Sequence, residues 1–427
     1  MGTALRRRRR GAWAVLLTGF VIGAAAGLSG CSTLPLWMVV QGKAEISDHQ
    51  HFDNAPITRA TVPSALPKPP PDASVALRWP GGLAAQEAAA QLAARDTVAL
   101  LVLRRGVMVH EQYFNGFSRS SIGTSFSVAK SVVSLLIGMA IADGRIQSVD
   151  DPVTRYLPEL LAQDLRFGRI TLRHLLMMRS GIDFQESYTA PWSQAARFYL
   201  GSDLKAEVAR LRIKTAPDLA YSYQSGDTQL LAMALERAVA TPIAAYLQQR
   251  LWQPMGAEFD ASWSLDSATG GMARAFCCLN ARAVDYLRLG QLVLNNGRAT
   301  NGSPLVAADW IRQSTAVQER PGADAAARRN IERPSSRFQA FYAWQWRRAL
   351  SPAQTVAGRA AATSNPGGAA WPDALSAEPG DDFYAEGLRG QYIYIAPATQ
   401  TVVVRLGREQ GGLFWPAWLG ELARLNP

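Results

Sequence analysis

The 427-residue sequence predicts a mixed α/β (α+β) body: an antiparallel sheet built from both chain ends and flanked by helices, with a helical lobe of about residues 150–330 inserted between. Three observations predict it. Strand-like runs occur at Thr97–Leu103 and Val107–Phe114, separated by the hairpin signature Arg104-Arg105-Gly106, and return at Phe338–Trp346, Gln391–Ala396 and Thr401–Leu406. Between them helical patterns dominate, bounded at Pro152, Pro158, Gly181, Pro217, Pro242 and Pro254. Apolar residues at 48%, charged residues at 18% and 12 Trp fit a large packed core and exclude disorder or long coiled coil. Strands flanking a helical insertion pair in one sheet, which puts a cleft at the lobe boundary.

Residues 1–30 lie outside this fold. Arg6–Arg10 followed by an uncharged, apolar Gly11–Gly30 has the basic and apolar regions of an export signal. The stretch ends Leu28-Ser29-Gly30-Cys31, the pattern of a bacterial lipobox, in which the cysteine is acylated and becomes the new N-terminus. The alternative is an uncleaved single-pass anchor, for which about 20 residues suffice. Either places the body outside the cytoplasm, facing the periplasm; Ser32 after the cysteine favours the outer membrane. The five arginines also account for half of the +10 net charge, and the remaining basic residues are scattered, so no nucleic-acid partner is expected.

From residue 31 to 82 the chain is polar and broken by Pro56, Pro63, Pro67 and Pro69-Pro70-Pro71, and reads as a stalk or wrapping arm with little regular structure. The domain proper is expected over 83–427. Leu83–Arg95 is Ala-rich and helical, Ser127–Asp143 reads as a helix stopped by Gly144, Ser351–Gly380 as a long loop, and Trp415–Leu425 as a closing helix. Cys31, Cys277 and Cys278 provide no disulfide framework, and the adjacent pair reads as small buried apolar residues rather than a redox pair. Four histidines with no HExxH or CxxC spacing give no metal site, and no cofactor is expected.

The chemistry concentrates at Ser127-Val128-Ala129-Lys130. Serine and lysine three apart at a helix start share a face. In the helix that follows, the polar positions 127, 130, 131 and 134 form one stripe and the rest is apolar almost all round, so the helix is buried and Lys130 with it. Desolvation lowers a lysine's pKa and fits it to activate a neighbouring hydroxyl. With 29 Ser and five Lys, chance predicts about 0.3 SxxK matches. The second match, Ser202-Asp203-Leu204-Lys205, reads as a surface helix N-capped by Ser202 with a solvated lysine.

Over roughly Thr97 to Leu425 the chain resembles the serine β-lactamase and penicillin-binding-protein superfamily, most closely class C β-lactamase-related esterases and 6-aminohexanoate-dimer hydrolases. The resemblance rests on Ser127-Val128-Ala129-Lys130, Asp143-Gly144-Arg145-Ile146, Asp150-Asp151-Pro152 with Tyr156-Leu157-Pro158, Ile170-Thr171-Leu172-Arg173-His174-Leu175-Leu176 leading to Ser180-Gly181, and Tyr223-Gln224-Ser225-Gly226-Asp227. It implies a β-lactamase/transpeptidase-like fold, Ser127 as nucleophile, and Tyr223, in a Tyr-x-Ser box completed by Ser225, as the base that works with Lys130. A tyrosine beside an ammonium has its phenolate favoured, though Tyr221, two residues away, presents the same chemistry.

The family's third box departs from the pattern. Lys-Thr-Gly is missing, Lys214-Thr215-Ala216 lies upstream of the tyrosine, and Gly387-Leu388-Arg389-Gly390-Gln391 occupies the corresponding place before a strand. There an N–H near Leu388, with that of Ser127, would form an oxyanion hole, Gly387 and Gly390 would admit close backbone approach, and Arg389 would either meet a substrate carboxylate or face solvent. Missing that lysine argues against β-lactam turnover. GxSxG is absent, and His174, in a Leu-rich helix, reads as structural. Trp192, Trp344, Trp346 and Trp371 are candidates for pocket walls or for core.

The expectation is therefore a cofactor-free, lipid-anchored serine hydrolase that opens an ester or amide bond in a small or peptide-like molecule through an acyl-enzyme. The rival readings are a D-alanyl-D-alanine peptidase or β-lactamase, and a penicillin-binding sensor that acylates without turnover.

Overall fold

The computed structural model describes residues 42–69, 76–188, 190–320, 328–332, 340–354 and 378–426, together with Met38. Residues 1–30, read above as an export signal, Cys31, Trp371 and most of the predicted 351–380 loop lie outside the described residues. The chain divides into Met1–Lys43 and a body, Ala44–Pro427, which holds every element named below.

The strands of the body are β1 (Asn54–Ile57), β2 (Thr97–Arg104), β3 (Val107–Tyr113), β4 (Gly123–Thr124), β5 (Ala261–Ser264), β6 (Leu279–Ala281), β7 (Ile331–Glu332), β8 (Ala340–Tyr342), β9 (Arg347–Leu350), β10 (Pro379–Gly387), β11 (Gln391–Ala396) and β12 (Thr401–Gly407). Among the described residues they form an eight-stranded antiparallel sheet, β3-β2-β12-β11-β10-β9-β8-β7, and a four-stranded one, β1-β5-β6-β4. As predicted, the large sheet joins both chain ends: β2 pairs with β12, Val403 opposite Val102.

Both faces of this sheet are covered, which is why β2 reads as an unbroken apolar run rather than an alternating one. Leu101, Leu103, Ile393, Ile395, Val402 and Val404 face one core, which includes the helices Val128–Ala142 and Ala283–Leu294. Leu100, Val102, Tyr392, Tyr394 and Val403 face the other, with the helices Ala85–Ala94 and Trp415–Leu425. The helix Val128–Ala142 is buried on every side from Val128 to Ala140.

Two local expectations are corrected here. The segment expected to have little regular structure contains β1, which runs along β5 as the edge of the small sheet, where Pro56 is tolerated because an edge strand need not donate outward. Asn54 Oδ1 accepts hydrogen bonds from Ser262, Ser264 and Asn280, so this part of the arm is built into the body. Secondly, Asp203 rather than Ser202 caps the helix Leu204–Ala209, its carboxylate accepting from the Ala206 N–H at 2.8 Å; Lys205 is exposed, as expected of a solvated lysine.

One buried cation ties the sheet together beneath the turn between β10 and β11. Arg405, fully buried on β12, donates to the carbonyls of Arg389, Gly390, Arg95 and Glu409 and to Thr97 Oγ1, and its guanidinium lies 4.1 Å from the Trp415 ring centroid. Replacing it strands those carbonyls without a donor. Arg405→Met should therefore lower unfolding stability by about 3 kcal/mol or more, read by chemical denaturation, and Arg405→Lys should recover little because an ammonium lacks the guanidinium fork.

Candidate active site

Three chain segments converge on Ser127. β4 pairs with β6, the Ser125 N–H donates to the Leu279 carbonyl at 2.8 Å, and Phe126 at φ +44° turns the chain into the helix that begins at Val128. Ser127 thus stands at the mouth of a buried helix. Its side chain makes no capping bond, which leaves the hydroxyl for other partners. From the other side comes the end of β10. A Cβ on Gly387 would sit 2.2 Å from the Ser125 carbonyl oxygen, so only glycine lets the β10–β11 turn approach the serine this closely.

Lys130 is 1% exposed, and its ammonium has three hydrogens and three acceptors: Ser127 Oγ at 3.1 Å, Ser225 Oγ at 3.2 Å and the Phe276 carbonyl at 2.8 Å. Burial pushes its pKa down to about 8; the negative charge of Glu186 opposes the fall and the Arg347 guanidinium reinforces it. The ammonium also lies 5.1 Å from the centroid of the Tyr223 ring, and the Arg347 guanidinium lies 5.1 Å from the same ring. Two cations therefore lie against one aromatic ring. Tyr221 packs against Tyr342 at 5.3 Å between ring centroids, while Tyr223 is the tyrosine beside Lys130.

Ser225 carries a second layer. Its hydroxyl accepts from Lys130 and donates to Glu186 Oε1 at 2.7 Å, while its N–H, at the start of the helix Ser225–Val239, donates to Glu186 Oε2 at 2.7 Å. Tyr188 also donates to Glu186. Deeper in, Gln224 Nε2 donates to Ser180 Oγ at 2.8 Å and Ser180 Oγ to Asp227 Oδ1 at 2.6 Å, which joins the Ser180-Gly181 and Tyr223-to-Asp227 motifs in one buried network. Burial drives the Asp227 carboxyl well above its ordinary pKa.

Several predicted residues fall elsewhere. Arg389, at φ +65°, is half-buried: it donates to the Ala44 carbonyl at 3.0 Å and pairs with Glu409 at 2.6 Å. It is consumed in pinning the arm and the turn. Leu388 is half-buried in that turn, and Gly390, at φ +79°, closes it. His174 is structural, as expected, exchanging bonds with Thr171 in a capping box. Trp344 and Trp346 are buried in the core, whereas Trp192 is 71% exposed. Cys277 and Cys278 are buried, as expected, but are joined by a disulfide, because adjacent thiols share a loop that brings their sulfurs together. Glu186, Arg347 and the Phe276 carbonyl carried no signal in the sequence. Glu186 sits in a polar loop, Arg347 among 39 arginines, and a carbonyl has no residue type. Among the described residues no group of His, Cys, Asp or Glu converges to hold a metal.

Comparison with known proteins gives a consistent set of relatives. Residues 85–413 match the family model described as Beta-lactamase. The 6-aminohexanoate-dimer hydrolase of Paenarthrobacter ureafaciens is 29% identical over 225 residues, a match spanning 50% of this chain and 56% of that protein. A structure from Bacillus anthracis described as a 6-aminohexanoate-dimer hydrolase superposes with a TM-score of 0.68 at 21% identity, covering 90% of this chain and 92% of that one. The D-alanine carboxypeptidase AmpC of Burkholderia cenocepacia gives a TM-score of 0.53 at 16% identity, covering 80% and 96%. At these identities the solved structures speak for the fold.

The lysine's environment can be titrated directly, because the chain has only five lysines. In carbon-13 lysine NMR, Lys130 should titrate near 8 in the wild type. Glu186→Gln removes the charge that holds its pKa up, so the midpoint should move to lower pH. A midpoint near the ordinary lysine value in both proteins would refute the electrostatic description.

Proposed function

The chain belongs to the beta-lactamase family, and from that premise we propose that it is a serine hydrolase that cleaves an ester or amide bond through an acyl-enzyme on Ser127. The observation that carries the reading is the contact between Lys130 Nζ and Ser127 Oγ, 3.1 Å apart, with the lysine fully buried, a burial that pushes its pKa down to about 8. The hydroxyl oxygen attacks the substrate carbonyl carbon as its proton passes to Tyr223, whose ring lies against Lys130 and Arg347. The oxyanion that forms is received by the backbone N–H groups of Ser127 and Leu388. The tetrahedral species collapses, Tyr223 returns the proton to the leaving oxygen or nitrogen, and water repeats the sequence to release the acid and free Ser127.

The missing third-box lysine favours esters and linear amides over β-lactams: the cation at that place, Arg389, is held by Glu409 and Ala44. The hydrolase relatives support a small or peptide-like substrate. Residues 1–31 support export and acylation at Cys31, which would leave the body tethered to a membrane and facing the periplasm.

Short-chain p-nitrophenyl esters should be hydrolysed with an initial burst, and intact mass should show a transient acyl adduct. Ser127→Ala should remove the activity by roughly a thousandfold or more, and Tyr223→Phe should lower kcat by about a hundredfold or more. A fluorophosphonate that labels the Ser127→Ala protein as well as the wild type would dispose of the assignment. Nitrocefin should be cleaved weakly or not at all; rapid nitrocefin turnover would favour the β-lactamase reading, and a persistent adduct without turnover the sensor.

A further inference from the structure

The third acceptor of the Lys130 ammonium is a main-chain carbonyl, and the residue after it begins the chain's one run of adjacent cysteines. Phe276 O accepts from Lys130 Nζ at 2.8 Å. The N–H of the same peptide plane, that of Cys277, donates to the Arg274 carbonyl at 3.1 Å. Rotation of this one plane would therefore take the carbonyl away from the lysine.

What holds the plane is a short, heavily constrained loop. Cys277 and Cys278 are bonded to each other, which closes a small ring through their shared peptide, and Cys278 sits at φ +72° in the left-handed region that residues with a side chain rarely adopt. Beyond the ring, the Cys277 carbonyl accepts from Trp263 Nε1 at 2.9 Å and the Cys278 carbonyl from the Ser264 N–H at 2.9 Å. Before it, the Gln229 side chain receives the Ala275 N–H at 3.1 Å and donates to the Ala273 carbonyl at 3.1 Å. The two cysteines are 4% and 0% exposed, so the ring makes no surface contact that would explain it otherwise.

We propose that the Cys277–Cys278 disulfide is a positioning element of the active site: by locking the backbone on one side of the Phe276–Cys277 peptide it keeps the Phe276 carbonyl on Lys130, and so keeps the ammonium aimed at Ser127 and Ser225. The proposal rests on the serine-hydrolase reading above and adds that the activity belongs to the oxidised chain. Opening the ring takes two electrons and two protons from a dithiol and leaves two thiols. The freed loop lets the carbonyl turn away, and the ammonium loses one of its three acceptors. The charged and titratable groups facing Lys130, namely Glu186, Arg347 and Tyr223, are left in place. Loss of a carbonyl acceptor disfavours the ammonium, so the lysine should titrate lower in the open form.

The test compares the full chain with the ring closed, the same chain reduced by dithiothreitol, and the double variant C277S/C278S, which opens the ring without needing reagent to enter the core. Trypsin cuts after Arg274 and Arg282, and the mass of the peptide between them reports whether the ring is closed. Opening should lower kcat for a p-nitrophenyl ester by roughly tenfold or more with little change in KM, and should shift the Lys130 NMR titration to lower pH. Reoxidation should restore both in the wild type and neither in the variant. A disulfide that merely stiffens the fold would lower the melting temperature and leave kcat, pH profile and Lys130 titration unchanged; that result overturns the proposal, as does a peptide from the oxidised protein carrying two free thiols. Should the closed form neither hydrolyse esters nor take fluorophosphonate at Ser127, the hydrolase reading fails alone, because the lysine titration still reports whether the ring holds the ammonium.

Discussion

A buried ammonium is expensive to fold around, and the architecture of this chain follows from keeping Lys130 satisfied. Its helix is buried on every side, and each of its three hydrogens is met by a protein acceptor. Those acceptors come from its own helix turn, from the start of the helix Ser225–Val239 and from the loop before β6. Segments far apart in sequence are thereby brought into one register around a single atom. Glu186 and Arg347 then bracket the same charge with opposite effects on it, and burial sets the balance near neutral pH.

The sequence made the frame of this arrangement legible. A polar stripe at 127, 130, 131 and 134 in an otherwise apolar helix pointed to a buried lysine, and the two terminal sets of strands pointed to one sheet. What stayed hidden was of two physical kinds. β9 and most of β10 were unread because Arg347–Leu350 and Pro379–Gly387 mix charge, proline and glycine with apolar residues, and their strand character comes from pairing with neighbours rather than from their own composition. β1 in the arm was missed for the opposite reason: the prolines around it argue against a ladder, yet an edge strand needs a partner on one side only.

The candidate site shows the same division. Ser127, Lys130, Tyr223 and Ser225 were placed by motif spacing, and their side chains meet around the lysine ammonium. Glu186 reaches Ser225 from a loop with no periodicity to predict its path. Arg389 read either as a partner for a substrate carboxylate or as a solvent-facing cation, and only the tertiary structure supplies its Glu409 and Ala44 partners. The adjacent cysteines were read for their polarity, which burial bears out, but their covalent state depends on geometry that no count of cysteines reveals.

A contact made by a carbonyl oxygen is blind to the side chain that hangs beside it. Position 276 meets the lysine twice, through this oxygen and through a ring whose centroid lies 5.6 Å from the ammonium, and another apolar residue there would keep only the oxygen. The information that fixes such an atom is carried by its neighbours, here two sulfurs and a tryptophan N–H, and sequence variation in this fold should be read at those neighbours rather than at the residue that makes the contact.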